Sequence, residues 1–136
     1  MSWRVVEHTA DVGLEAEGAD LAEAVEEVIA GFGHLVCPEA EVGIGEQRRL
    51  EVEAPSRADL VVDLLDELNF VHQTERFLPA EAEVAIAATE DGCRLDATIE
   101  GETYERDRHG HLMEIKATTY HGLEVEEGRI AVLFDV

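Results

Sequence analysis

Residues 129–136 read RIAVLFDV. Ile130 to Phe134 is an unbroken apolar run, too short for a stable helix and rich in β-branched residues, so it reads as a strand. A strand that is apolar at nearly every position belongs in the middle of a sheet, covered on both sides. The exception is Asp135, which stands beside the terminal Val136. A carboxylate next to a terminal carboxylate brings two negative charges together where the strand demands burial. Such an arrangement calls for a cation or for solvent.

The segments upstream supply the rest of the fold. Trp3–Val6 reads as a short strand, and Val12, Leu14 and Ala16 alternate with Gly13, Glu15 and Glu17 in a half-buried one. Asp20 and Glu23 have capping-box spacing ahead of a helix whose apolar stripe is Leu21, Ala24, Val25, Val28, Ile29 and Phe32. Gly31 and Gly33 weaken its end, and Pro38 stops it. Leu50, Val52 and Ala54 alternate in another strand, after which Ser56 caps a second helix with Asp59 in its first turn. That helix carries Leu60, Val61, Leu64, Leu65, Leu68 and Val71 on one stripe. Val84–Ala88 and Cys93–Ile99 flank the turn TEDG as a hairpin. GETYERDRHGH (101–111) reads as a polar loop, and Met113–Thr118 and Leu123–Val125 as further strands. The pattern is a single α+β domain over 1–136: a mixed or antiparallel sheet with two helices packed on it.

Composition narrows the function. The chain has 32 acidic and 10 basic residues, a net charge of -22, with the acids spread among apolar positions and not gathered in a tail. This is a folded acidic surface, suited to a salt-rich cytoplasm where the screening length falls to about 3 Å near molar salt. It argues against direct nucleic-acid binding, which needs a basic footprint. No run of 18 apolar residues suggests a membrane span, and the N-terminal residues do not resemble a signal peptide. Cys37 and Cys93 lack metal-site or redox spacing and read as small core residues. Nine of the ten basic residues are arginine, which makes the single lysine, Lys116, a candidate functional residue.

Three constellations could carry chemistry. In EHTADVG, Asp11 lies at a strand start in an apolar frame, as a ligand or as a turn former through backbone N–H groups. KATTYHG carries Lys116, Tyr120 and His121. Just upstream, His109 and His111 are spaced to chelate zinc, although an exposed polar loop is the better reading. At the terminus, Asp135 and the Val136 carboxylate joined by Asp11 would make an oxygen-only, strongly negative site suited to Ca²⁺ or Mg²⁺. No phosphate-binding glycine loop, nucleophile elbow or Cys/His dyad is recognisable, so the residues read as a binding or regulatory protein without catalytic residues of its own.

HTADVG near the start, RH followed by KATTYH in the last third, and the terminal LFDV together resemble the archease family, in order and spacing along nearly the whole chain. The resemblance implies a small α+β protein that assists the RtcB-type tRNA-splicing RNA ligase in the cytoplasm. There it promotes guanylylation of the ligase, multiple turnover and broader nucleotide use. It also implies a metal site, Ca²⁺ first and Mg²⁺ second, with Asp11, Asp135 and Val136 at the ligand positions and Lys116 at the motif lysine. Val136 stands where resembling members usually carry isoleucine. His8, His109 and His121 match motif positions, as partner or functional contacts. Other classes to set against this are a metal-dependent phosphoesterase and a general chaperone; the latter would expose large apolar patches, which so charged a sequence does not suggest.

If the acidic surface is adapted to salt, the melting temperature should rise by several degrees between dilute buffer and molar KCl, as calorimetry would show; an unchanged midpoint would exclude the adaptation.

Overall fold

The computed structural model describes residues 1–7 and 11–136. The elements are β1 (Ser2–Glu7), β2 (Asp11–Glu17), α1 (Leu21–Val36), β3 (Glu46–Ala54), α2 (Arg57–Glu75), β4 (Phe77–Ala88), β5 (Cys93–Thr103), α3 (Arg106–His109), β6 (Ala117–Glu126) and β7 (Arg129–Asp135). The class is α+β, but the strands form two antiparallel sheets, ordered β1-β2-β7-β6 and β3-β5-β4. The helices touch both sheets: α1 meets β1, β2 and β7 of the first and β4 of the second, while α2 meets β6 of the first and β3, β4 and β5 of the second. Within α1 only His34 is exposed, as expected of a helix enclosed on more than one side.

Both helix starts follow the capping pattern. Asp20 Oδ1 accepts the Glu23 N–H at 2.9 Å, and Ser56 Oγ accepts the Asp59 N–H at 3.1 Å. The glycines of α1 do not end it: the helix continues to Val36. They permit close packing instead. A Cβ on Gly33 would lie 1.9 Å from the Pro79 carbonyl oxygen, and one on Gly31 3.1 Å from Leu14. Cys37 and Cys93 are buried free thiols.

β7 lies between β2 and β6, at the centre of its sheet as its composition implied. It is covered on one side only: Ile130, Val132 and Phe134 are buried, whereas Arg129, Ala131 and Leu133 on the opposite face are half-buried. The inner row packs on α1, where Phe32 meets Phe134 edge-on at 5.9 Å and His72 of α2 at 6.3 Å. Burying a Phe or Leu of this row contributes about 1.5–3 kcal/mol. β6 also departs from expectation. Met113–Lys116 is not strand, and Ala117–Glu126 is one strand whose pairing with β7 slips between Thr119 and Glu124.

The polar stretch 101–111 is more ordered than its composition implies. It contains α3 and a buried histidine, His109, which is 1 % exposed. His109 Nδ1 accepts the Glu105 N–H at 2.9 Å, which leaves Nε2 to donate to Glu102 at 3.0 Å. Glu102 also accepts from the Gly43 N–H at 2.6 Å and from Arg108 at 2.6 and 3.0 Å. Burial pushes the Glu102 carboxyl up, but the bonds from His109, Gly43 and Arg108 outweigh it and hold the group at about 2.

A depressed carboxylate contributes stability above its ordinary value of 4.5, and that contribution is lost as pH falls toward 2. Glu102→Gln should therefore cost about 2 kcal/mol at neutral pH. In urea denaturation at a series of pH values, the gap from the unsubstituted protein should narrow as pH drops from 4.5 toward 2. A gap independent of pH would show that charge at Glu102 is not what holds the 101–111 stretch in place.

Candidate metal centre

Two rows of buried side chains determine where the candidate carboxylates point. Val12, Leu14 and Ala16 face the core from β2, as do Ile130, Val132 and Phe134 from β7. Alternation along a strand then sends Asp11 and Asp135 to the opposite, outer face. The register places them directly opposite one another, Asp11 against Asp135, and Ala117 of β6 against Asp135 on the other side. The two carboxylates are thus neighbours in one cross-strand row, where Cβ atoms lie about 4.5–5.5 Å apart and like charges repel. Asp11 is half-buried; Asp135 is exposed, and Val136 is 44 % exposed.

Lys116 immediately precedes this row. Its backbone N–H donates to the Asp135 carbonyl at 2.8 Å, which fixes the lysine beside the end of β7, and its side chain is exposed. The flanking residues are held by α2. Asn69 and Gln73 both donate to the Ile115 carbonyl at 2.9 Å, Asp66 accepts the Thr118 N–H at 3.2 Å, and Asp59 accepts the Tyr120 hydroxyl at 2.5 Å. That last bond raises the Tyr120 hydroxyl to about 12.

Charge pairing on the outer face is uneven. At one end Glu15 meets Arg4 at 2.6 Å and Arg129 at 3.9 Å, and Arg129 meets Glu124 at 3.1 Å. At the other end neither Asp11 nor Asp135 has an ion-pair partner among the described residues. The described residues hold no cluster of three or more His, Cys, Asp or Glu able to take a metal. The ligands expected from the sequence, Asp11, Asp135 and the Val136 carboxylate, would be all-oxygen and hard, a set that suits Ca²⁺ or Mg²⁺ and not a soft metal.

The histidines are placed differently. His8 lies outside the described residues. His109 is turned inward on Glu102 and bonds to neither aspartate. His121 is exposed where β6 slips against β7, on the rim of a hollow lined by Val6, Gly122, Ala131 and Leu133. His111 is exposed and lies outside any metal cluster among the described residues. The sequence reading passed over Asp59 and Asp66 as site-supporting residues. Their seven-residue spacing on the polar side of α2 was the available signal.

The Archease protein family (MTH1598/TM1083) matches residues 3–136. The chain is 35% identical to the protein archease of Thermococcus gammatolerans over 125 residues, covering 92% of this chain and 88% of that protein. It is 36% identical to the protein archease of Methanothermobacter thermautotrophicus over 124 residues, covering 90% and 88%. The solution structure of Methanobacterium thermoautotrophicum protein 1598 superposes with a TM-score of 0.82 at 32% identity, over 98% of each chain. No helix among the described residues is long and apolar enough to cross a membrane. The chain belongs to the archease family.

Proposed function

We propose that this protein is a non-catalytic cofactor protein of the cytoplasm that activates an RtcB-type tRNA-splicing RNA ligase through a divalent-cation site formed by Asp11, Asp135 and the carboxylate of Val136. The observation that carries the reading is the Asp11–Asp135 pair: two carboxylates opposed across adjacent strands without an ion-pair partner among the described residues, on a face whose Glu15 and Glu124 are paired with arginine. Their all-oxygen character favours Ca²⁺ first and Mg²⁺ second. When bound, the cation supplies positive charge that removes this repulsion and can attract an anionic group of the partner.

In this reading Lys116 adds a point charge beside the site, able to meet a phosphate or carboxylate. Its main-chain N–H bonds to the Asp135 carbonyl, which sets its backbone beside the end of β7. His121 on the rim of the outer face is a partner contact in the same proposal, and so is His8. His109, enclosed against Glu102, contributes by holding its loop. The acidic surface suits a protein partner in preference to bare nucleic acid.

The direct test is to mix the protein with the RNA ligase of its own organism and follow covalent guanylylation. Asp135→Asn keeps shape and removes only charge; it should weaken Ca²⁺ or Mg²⁺ binding at least about tenfold in titration calorimetry and impair guanylylation. A short tag appended after Val136 should do the same, because it converts the carboxylate into a neutral amide carbonyl, whereas an N-terminal tag should be better tolerated. Lys116→Ala should reduce activation but leave cation affinity unchanged, since a protonated amine cannot ligate a metal. Full activation by the Asn and tagged proteins would overturn the reading, as would phosphoesterase turnover by the protein alone.

A further inference from the structure

Three of the four phenylalanines, Phe32, Phe77 and Phe134, are fully buried. The fourth, Phe70, lies on α2 and is 63 % exposed, forgoing the apolar burial that places the others. Its position on the helix gives that exposure a context. Residues three and four apart are neighbours on a helix surface, so Phe70 stands beside Asp66, Glu67, Gln73 and Thr74, with Asp63 two turns back on the same side. Asp66 holds the Thr118 N–H and Gln73 the Ile115 carbonyl, so Phe70 borders the seam between α2 and the main chain around Lys116. At the far end of this seam Asp59 accepts the hydroxyl of Tyr120, an aromatic that is 56 % exposed. From Asp59 to Phe70 the strip runs about 16 Å along the helix axis.

Asp59, Asp63, Asp66 and Glu67 give the strip its charge, and none has an ion-pair partner among the described residues. Partial burial and the charges of Asp59 and Asp66 push the Asp63 carboxyl up, so these carboxylates act on one another. The strip therefore combines exposed aromatics with charge of a single sign. Arginine fits both features, because a guanidinium stacks on an aromatic face and pairs with a carboxylate.

We propose that this strip of α2 and β6, anchored by Phe70, is the face on which the RNA ligase docks, through a basic, arginine-bearing surface of that enzyme; this rests on the functional reading above. An enzyme that holds tRNA needs such a basic surface. A second copy of this chain is the wrong occupant, since its net charge of -22 meets the strip with the same sign. Near molar salt the screening length is about 3 Å, so the carboxylates act only at contact and the aromatic anchor supplies the share of affinity that salt does not remove.

The test uses the whole chain and the RNA ligase of its own organism in molar KCl, and reads the dissociation constant and the concentration that gives half-maximal guanylylation. Phe70→Ala should raise both at least about tenfold, while guanylylation at saturation, Ca²⁺ affinity and melting temperature stay those of the unsubstituted chain. Phe70→Tyr, which keeps the ring, should stay within about twofold. Ile44→Ser, which removes an apolar side chain 61 % exposed on the loop before β3, should change neither reading. Asp63→Lys should weaken binding by a factor that grows as KCl is lowered. A Phe70→Ala protein that activates at unchanged concentrations would overturn the docking face and leave the functional reading standing. Weaker binding joined to a lower melting temperature, and not restored by tyrosine, would make Phe70 a packing residue and sink the proposal. Sedimentation showing a dimer that Phe70→Ala dissociates, with activation unchanged, would give the strip to a second copy instead. An unsubstituted chain that neither binds nor activates the ligase would remove the functional reading and this inference together.

Discussion

The structure depends on one topological constraint: the last strand is inserted between the second and the second-to-last. β7 pairs with β2 on one side and β6 on the other, both antiparallel. Residues near position 11, residues near 117 and the end of the chain thereby share one row. No local signal could bring them together, since their sequence separations exceed 100 residues for Asp11 and Asp135. The register is enforced by the buried faces. Slipping β7 by one residue would turn Ile130, Val132 and Phe134 to solvent and Asp135 toward Phe32 and α1, at a cost of several kcal/mol. The core thus specifies the geometry of the carboxylates without touching them.

That constraint gives meaning to the charge pattern. With a net charge of -22, an acidic residue without a basic partner is ordinary on this surface. Two held opposite each other by the main chain are different, because neither can move away from the other without breaking the ladder. Arginine answers the problem at one end of the face, where Arg4 and Arg129 bracket Glu15. At the other end, β7 runs out and, among the described residues, Lys116 is brought alongside through its backbone. In the proposed site, a small cation would take the role at Asp11 and Asp135 that arginine takes at the other end.

Elements whose pattern is local were legible in the sequence. The stripes of both helices, their Asp20 and Ser56 caps and the β4–β5 hairpin depend on neighbours a few residues away. The division into two sheets was not legible, because it depends on which faces the helices cover, and apolar alternation looks alike in either sheet. The apolar outer side of β7 misled for a related reason. Leu133 is accommodated by the missing side chain of Gly13, whose Cβ would lie 2.6 Å from a Leu133 methyl. It reads as a buried position but packs on the face of a sheet open to solvent. His109 misled in the opposite direction: a histidine in a charged stretch suggests a surface loop, yet Glu102 of β5 accepts its Nε2–H and helps to enclose it. Among the candidate ligands, Asp11 and Asp135 could be named from their apolar frames, but that they face one another follows only from the register.

The stretch around Lys116 shows how the helix layer reaches the outer face. β6 is an edge strand, and an edge normally presents unpaired N–H and C=O groups. Here α2 takes up part of that role. Asp66 caps the Thr118 N–H, Asn69 and Gln73 converge on the Ile115 carbonyl, and Asp59 anchors Tyr120. These four positions, 59, 66, 69 and 73, fall at spacings of seven, three and four residues, which place them along one side of a helix. The main chain on both sides of Lys116 is therefore pinned, while its ammonium stays in solvent. Thr118 points inward beneath Asp66, and Ala117 and Thr119 point outward toward the row of carboxylates. A six-residue motif thus joins three structures: α2 through its polar groups, the core through Thr118, and the carboxylate row through Ala117 and Thr119. Repacking of α2 would therefore shift the main chain on both sides of Lys116, where these bonds are made.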